Sequence, residues 1–428
     1  MPAVRIGPAL RGICAGVLAS AVATGLLAVP AQARVAKPKV VRPVATAPGA
    51  ALFGIHQPGV AYGAWPKVPR GTVGSVRLWD SGTTWREVNP ARGVFVWDAL
   101  DAAVANAKAH GASIDLVLGQ TPAWAAVDPG FEPRAAHGSG ATSPVAVEAD
   151  WVAYVQAVAR RYKGVISAYE TWNEGNLWLF WGGTPGELAR LNSLAYRTIK
   201  RIDPKAVVVA PSSTLRQGNG WLVRYAQAGG FRYSDAINVH AYPRPEAGPE
   251  DGIALVNRAR AALKAMGIVK PVWNTEMNYG MPVGGVGRHP LRADKQSAYV
   301  TRTYLLAHSN RIARTYWYAW TSAPYLGVSM TSADGLSNAR AAKAYTVVAA
   351  WMRGRSVPCV VDRAGTYSCT ISYARGTGVV RWNPKKAVAV VAPKYTRSRQ
   401  DVYGRTLRTR GDWKIRVSDS PVLFRTSR

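Results

Sequence analysis

Acidic residues are scarce in this sequence. Only 24 Asp and Glu stand against 54 Lys and Arg, for a formal charge of +30. A carboxylate at the end of a strand is therefore worth attention. Cysteine is scarcer still, with three in 428 residues. Cys14 falls inside an apolar N-terminal run, which leaves Cys359 and Cys369 flanking a turn at Asp362-Arg-Ala-Gly365. Neither Cys-x-x-Cys spacing nor a His partner accompanies them, so a hairpin disulfide is the reading favoured over a redox or metal pair. Beyond the N-terminus there is no second long apolar run, and stable membrane insertion of the processed chain is not expected. No Gly-x-Gly-x-x-Gly follows the first strand, so a nucleotide crevice of that kind has no support. Nucleic acid, the usual first partner for a basic chain, lacks any recognisable motif here. No His/Asp/Glu spacing resembles a metal site.

Arg5 and Arg11 precede the uncharged run from Gly12 to Val29, and Ala31-Gln32-Ala33 follows in the small-x-small pattern of a signal-peptidase site. The segment 1–33 reads as an export signal, with an uncleaved anchor as the rival. A secreted, extracellular or cell-wall location follows from that reading. Residues 34–50 are rich in Pro, Ala, Val and basic side chains without periodicity, as in a linker.

From Ala51 on, short β-rich runs alternate with longer amphipathic ones, the pattern of strand-helix units around a parallel sheet. Eight strands are expected at 52–56, 73–79, 113–119, 166–173, 206–211, 236–240, 272–276 and 315–320. Helices are expected over 97–110, 149–162, 185–202, 252–266 and 294–309, with a last one ending near Met352. Thr184-Pro185 places proline in a first helical turn. Eight such units over about 300 residues match a (β/α)8 TIM barrel, whose functional groups gather at the carboxyl ends of the strands. The barrel is assigned to 51–354 and a small antiparallel β domain to 355–428, with turns at Gly365, Gly376, Asn383-Pro384, Gly404 and Gly411. That last segment carries sixteen Lys and Arg against four Asp. It reads as either a solvated surface or a face for an anionic wall polymer.

Chemistry concentrates at Ile166 to Trp181. Glu174 and Asn173 stand together at a strand end with Trp172, Trp178 and Trp181 around them. A carboxyl and an amide in aromatic company suit sugar chemistry, which requires one acid to protonate the leaving oxygen and a second carboxylate to meet the anomeric carbon. The best second acid is Glu276, in Val272-Trp-Asn-Thr-Glu276. Aromatics at strand ends can stack on a sugar face; Trp320, Trp124, Trp178 and Trp181 are the candidates, with Trp320 as the floor of the pocket. Core packing is the alternative for each. His56 is a weaker candidate for the same site.

Glu170-Thr-Trp-Asn-Glu174-Gly-Asn-Leu, Phe180-Trp-Gly-Gly, His240-Ala-Tyr242, Asn274-Thr-Glu276 and Tyr-Trp-Tyr-Ala-Trp320 together resemble the retaining glycoside hydrolases of the large (β/α)8 superfamily that carry the acid/base on strand four and the nucleophile on strand seven. The resemblance extends over about Phe53 to Met352 and points to the branch containing β-xylosidases and α-iduronidases. It implies Glu174 as acid/base, Glu276 as nucleophile, Asn173 as partner of the substrate 2-hydroxyl, and His240, Tyr242 and Arg77 around the nucleophile. Arg77 has a second reading as a structural partner of Glu170, and His240 as a core histidine. The family's proline after Asn-Glu is replaced here by Gly175, which loosens the subfamily. An oligo- or polysaccharide substrate and no cofactor are expected. The alternative, from another class, is a non-catalytic barrel acting as a glycan- or cell-wall-binding module. For retention, the two carboxyls should lie roughly 5 to 5.5 Å apart.

Overall fold

The computed structural model describes residues 49–133, 137–279, 291–321, 326–335, 337–356 and 358–427. The segment read as an export signal, with Cys14, lies outside the described residues. Strands and helices follow in the order β1 (Phe53–His56), β2 (Ser75–Leu78), α1 (Trp85–Val88), α2 (Asp98–Ala109), β3 (Ser113–Val117), α3 (Glu148–Arg161), β4 (Ala168–Glu170), α4 (Pro185–Ile202), β5 (Val207–Val209), α5 (Gly220–Gln227), β6 (Ile237–His240), α6 (Pro249–Ala265), β7 (Val272–Met277), α7 (Ala293–Ser309), β8 (Ile312–Trp317) and α8 (Arg340–Trp351). The eight strands are parallel and neighbours in the order β5-β4-β3-β2-β1-β8-β7-β6. Between β5 and β6 the barrel closes through a bridge from Val209 to Ala236, with Ala210 N donating to Ala236 O at 3.1 Å. This is a (β/α)8 barrel.

Local sequence accounts for these elements. The strands are short apolar runs buried on both faces, as strands covered by helices outside and side chains inside must be. In α4, Thr184 and Glu187 form a reciprocal cap and Pro185 occupies the first turn. Most of the apolar core lies between the strands and the helices. A smaller cluster of Ala168, Val209, Ala236, Trp273 and Tyr316 fills the barrel interior. Gly54 is required there, because a Cβ on it would stand 2.5 Å from the Tyr316 ring.

The last part of the chain folds as β9 (Arg355–Ser356), β10 (Val360–Val361), β11 (Tyr367–Ser372), β12 (Thr377–Trp382), β13 (Val388–Val391), β14 (Thr396–Gln400), β15 (Thr406–Arg408), β16 (Lys414–Val417) and β17 (Val422–Thr426). One antiparallel sheet runs β10-β11-β12-β17-β14-β15 with β9 on β11, and β13 pairs with β16. Cys359 and Cys369 are bonded, tying the start of β10 to β11. The β domain is not a loose appendage. Ile371, Val380, Trp382 and Leu423 belong to the same core as the barrel helices, Trp351 Nε1 donates to Gln400 Oε1 at 2.7 Å, and Tyr373 hydroxyl donates to Trp351 O at 2.8 Å. Among the described residues, no helix is long and apolar enough to cross a membrane.

Several features depart from the sequence reading. Strand β4 ends at Glu170, three residues before the expected end at Asn173, so Asn173 and Glu174 follow the strand, and the short helix α1 was not expected. Strand β8 ends at Trp317, three residues before the expected end, and the aromatic-rich run Tyr316-Trp-Tyr-Ala-Trp320 contains no Gly or Pro to mark a strand terminus. Helix α5 was not anticipated; its eight residues follow Gly218-Asn219 and are too few to show a clear helical period.

Candidate active site

Five strands bring polar side chains to one mouth of the barrel. His56 ends β1, Arg77 lies near the end of β2, Glu170 ends β4, His240 ends β6, and Glu276 is next to last in β7. Asn173 and Glu174 follow β4 immediately, where the backbone turns sharply: Glu174 has φ of 42°. Ser212, just beyond β5, holds that turn. Its hydroxyl accepts from Glu174 N at 2.8 Å, and its carbonyl accepts from Gly175 N at 3.0 Å. The second contact shows why proline is absent after Asn173-Glu174, since proline has no N–H to give. Space gives the same answer, for a Cβ at position 175 would meet Leu188 at 2.4 Å and Trp221 at 2.9 Å.

Arg77 is the hub. Its Nε and Nη2 donate to the two oxygens of Glu170, each at 2.7 Å. Nη2 also donates to Asn173 Oδ1 at 2.8 Å, and Nη1 to Glu276 Oε2 at 3.1 Å. Arg77 thus contacts Glu170 and Glu276 at once. Burial opposes its charge, but Glu170 and Glu276 outweigh that and keep the guanidinium protonated. Because Arg77 claims Oδ1, Asn173 presents its Nδ2 as a donor to any bound ligand. Deeper in the barrel, burial and the nearby Glu170 push Asp115 up to about 7.

Glu276 also accepts from the Tyr242 hydroxyl at 2.6 Å. Burial, with Glu174 adding to it, lifts the Glu276 carboxyl above its ordinary range, while Arg77 and the Tyr242 hydroxyl pull the other way. Tyr242 stays a neutral donor, raised well above a normal phenol by burial and by the charge of Glu276. On the far side, His240 Nδ1 lies 2.8 Å from Glu174 Oε1 and Nε2 lies 3.1 Å from Thr275 Oγ1. Burial pushes His240 down to about 4, against the pull of Glu276. The Thr275 carbonyl accepts only, so His56 Nε2, 2.9 Å away, carries a proton. Burial and Arg77 hold His56 neutral.

Carboxyl oxygens of Glu174 and Glu276 and a ring nitrogen of His240 all lie within 4.8 Å of one another. Such a set has the donor types that could hold a cation. Both oxygens of Glu276 accept from Tyr242 and Arg77, and the guanidinium supplies the positive charge that a metal would bring. The arrangement has two carboxyls facing one small space, one bound to cationic and phenolic donors and the other to a neutral imidazole. It suits proton transfer beside nucleophilic attack.

The structure thus gathers Arg77, Asn173, Glu174, His240, Tyr242 and Glu276, with His56 beside them. It does not place the proposed tryptophans there. Trp320 is 2% exposed and packs edge-on against Tyr345 of α8 at 5.4 Å. Trp124 donates to Asn89 O at 2.9 Å and packs against Trp85. Trp172 and Trp181 meet edge to face at 5.0 Å in the outer core, and Trp178 is 61% exposed on the loop after β4. The aromatic that reaches the site from β8 is Tyr318. Its ring meets His56 edge-on at 5.0 Å, and its hydroxyl donates to Asp80 Oδ2 at 2.8 Å. Tyr318 keeps the inward parity of Tyr316, but β8 has ended at Trp317, so the two-residue alternation does not carry on to Trp320. Trp79, Phe180 and His137 form a further aromatic group, with Phe180 6.3 Å from Trp79 and 5.0 Å from His137. Asp80 had a usable signal, as one of few acids and at a strand end; the contacts of Thr275 and Asn238 had none.

No family model matches the chain, and no curated protein matches it. Solved structures do. The chain is similar to a glucosidase from Croceicoccus marinus (TM-score 0.66, 14% identity, covering 90% of this chain and 97% of that one). It is similar to the GH39 enzyme from Xanthomonas axonopodis pv. citri (TM-score 0.64, 17% identity, 91% and 99%). A monomeric beta-xylosidase from Caulobacter crescentus CB15 is also similar (TM-score 0.60, 14% identity, 90% and 97%). At these identities the likeness establishes the fold, a parallel eight-stranded barrel with a C-terminal antiparallel sheet.

Proposed function

We propose that this protein is an exported retaining glycoside hydrolase that cleaves O-glycosidic bonds in an oligo- or polysaccharide. The observation that carries the reading is the approach of Glu174 and Glu276 within 4.8 Å at one mouth of the barrel. Inverting enzymes hold their carboxyls about 6.5 to 9.5 Å apart to admit a water, whereas retaining ones bring them closer so that one can bond to the sugar. The similarity to a glucosidase and a beta-xylosidase supports the same reading.

In the first step, a Glu276 carboxylate oxygen attacks the anomeric carbon while the Glu174 carboxyl gives its proton to the leaving oxygen. The C–O bond breaks, the aglycone departs as an alcohol, and a glycosyl ester forms on Glu276. In the second, the Glu174 carboxylate takes a proton from water, the water oxygen attacks the same carbon, and the ester opens to restore Glu276. Asn173 Nδ2 donates to the sugar 2-hydroxyl, a contact that strengthens as positive charge develops on the ring. Tyr242 and Arg77 hold Glu276 in place and share its charge.

The sugar belongs to the range cleaved by the β-xylosidase and α-iduronidase branch. A module that only bound glycans would have no use for both acids. The test is a panel of aryl glycosides and polysaccharides given to wild type beside Glu174→Gln and Glu276→Gln. Turnover of some member by wild type, lost in both variants, is expected; equal turnover in the variants would end the assignment.

An anionic wall polymer is the partner proposed for the β domain. On the β13–β16 pair, Val390 and Val417 face the second small core. The alternating residues Val391, Lys414 and Arg416 are exposed next to Trp413. A face with aromatic and basic side chains suits an acidic glycan.

A further inference from the structure

A chain of hydrogen bonds behind His240 fixes where the proton between His240 and Glu174 resides. It begins at a group that cannot reverse its role. The backbone carbonyl of Ala210, just after β5, only accepts, so Asn238 must turn Nδ2 toward it, at 3.2 Å. Asn238 Oδ1 then faces Thr275 and accepts from its hydroxyl at 2.7 Å. With its proton spent on Asn238, Thr275 Oγ1 is an acceptor for His240 Nε2, at 3.1 Å, and that nitrogen carries the ring proton. A neutral imidazole protonated at Nε2 has a bare lone pair at Nδ1. That lone pair points at Glu174 Oε1 from 2.8 Å, and two acceptors at that distance repel unless a proton lies between them.

We infer that Asn238 and Thr275 are positioning residues that lock His240 in its Nε2–H tautomer and so keep Glu174 protonated as the acid of the resting enzyme. The inference rests on the glycosidase reading and adds the source of the acid's proton state. It also gives the second step a driving force. Once Glu174 has delivered its proton, its carboxylate faces the bare Nδ1, and repulsion makes it a stronger base toward the incoming water. The other charged and titratable groups near His240 are Glu276, Arg77, Glu170 and His56. Arg77 opposes a charge on the imidazole, Glu276 and Glu170 favour one, and burial settles the balance toward the neutral ring.

Thr275→Val keeps the shape but removes the acceptor. His240 is then free to protonate Nδ1 and donate to Glu174, which stabilises the carboxylate. The basic limb of the kcat/KM pH profile should move down by about 1 to 2 pH units, the shift expected when a buried carboxylate gains a hydrogen-bond donor. The loss should be large for aryl glycosides with poor leaving groups and small for those with good ones, and Thr275→Ser should restore the wild-type profile. A folded Thr275→Val with an unmoved basic limb overturns the inference. Nitrogen NMR of the wild type is the independent measurement, with the resonance of His240 among the six histidines assigned through His240→Gln. A neutral ring protonated at Nε2 supports the lock, and protonation at Nδ1 or an imidazolium refutes it. If wild type cleaves no glycoside, the function falls while the NMR result on His240 still decides the lock.

Discussion

Replacing Tyr242 with Phe removes one oxygen from the site and little else. The lost hydroxyl donates to Glu276 Oε1 over 2.6 Å, and the ring is buried, so no water readily takes its place. A hydrogen bond to a charged group contributes roughly 1.5 to 3 kcal/mol. One pKa unit corresponds to about 1.36 kcal/mol, so the Glu276 pKa should rise by about 1 to 2 units. The sign follows from the donor acting on the charged form alone: without it, the carboxylate loses stabilisation and the neutral acid does not. Glu276 must be ionised to attack, and its pKa in the wild type is already raised by burial. The acidic limb of the kcat/KM profile should therefore stand above the ordinary carboxylate range in the wild type and move further up in Tyr242→Phe. Activity at the alkaline end should be much less affected. The assay is a pH series on the best aryl glycoside, with thermal unfolding as a check that the variant is folded. An acidic limb that stays in place, or moves down, refutes the assignment of Glu276 as the ionised partner.

Other consequences follow from the same geometry. Glu174→Gln should lower kcat/KM by about 10² to 10⁴-fold on substrates with poor leaving groups and far less on activated ones, measured across a leaving-group series. Arg77→Met leaves Glu170 buried without its counter-charge, so unfolding in urea should show a loss of about 3 to 5 kcal/mol. Binding to an acidic polysaccharide should weaken as salt rises, because exposed charges are screened beyond about 8 Å at physiological ionic strength. Reversing Arg408, Lys414 and Arg416 to Glu should abolish that dependence, as a salt titration of pull-down would show. Arg405 is a poor choice for the reversal, since it pairs with Asp401. Truncating the β domain is worse, because it shares its core with the barrel.

Most of the barrel was legible because its signals are local. Val207–Val209 is a short apolar run, and α4 has a cap and a proline at its start. The two acids were legible for a different reason, as carboxylates at strand ends in a chain with few of them. What the sequence could not show depends on the direction of side chains at distant positions. Trp320 and Tyr318 are two residues apart in one aromatic run, and only the place where β8 stops decides that Tyr318 reaches His56 while Trp320 packs on Tyr345. Gly175 looked like a weakening of the family pattern, yet Leu188, Trp221 and the Ser212 carbonyl, all far along the chain, require it. The bonds from Ala210 through Asn238 and Thr275 to His240 join three strands, and no spacing in the sequence encodes them.

The central claim is that Glu276 becomes covalently bonded to the sugar. Incubation with a panel of 2-deoxy-2-fluoro glycosides bearing good leaving groups, followed by proteolysis and mass spectrometry, tests it directly. The fluorine slows both steps and the activated leaving group restores the first, so the ester should accumulate. A sugar mass on the peptide that contains Glu276, for the glycoside whose parent sugar the enzyme releases, is the predicted result. Turnover of that parent sugar with no label, or a label on any other residue, would contradict the account.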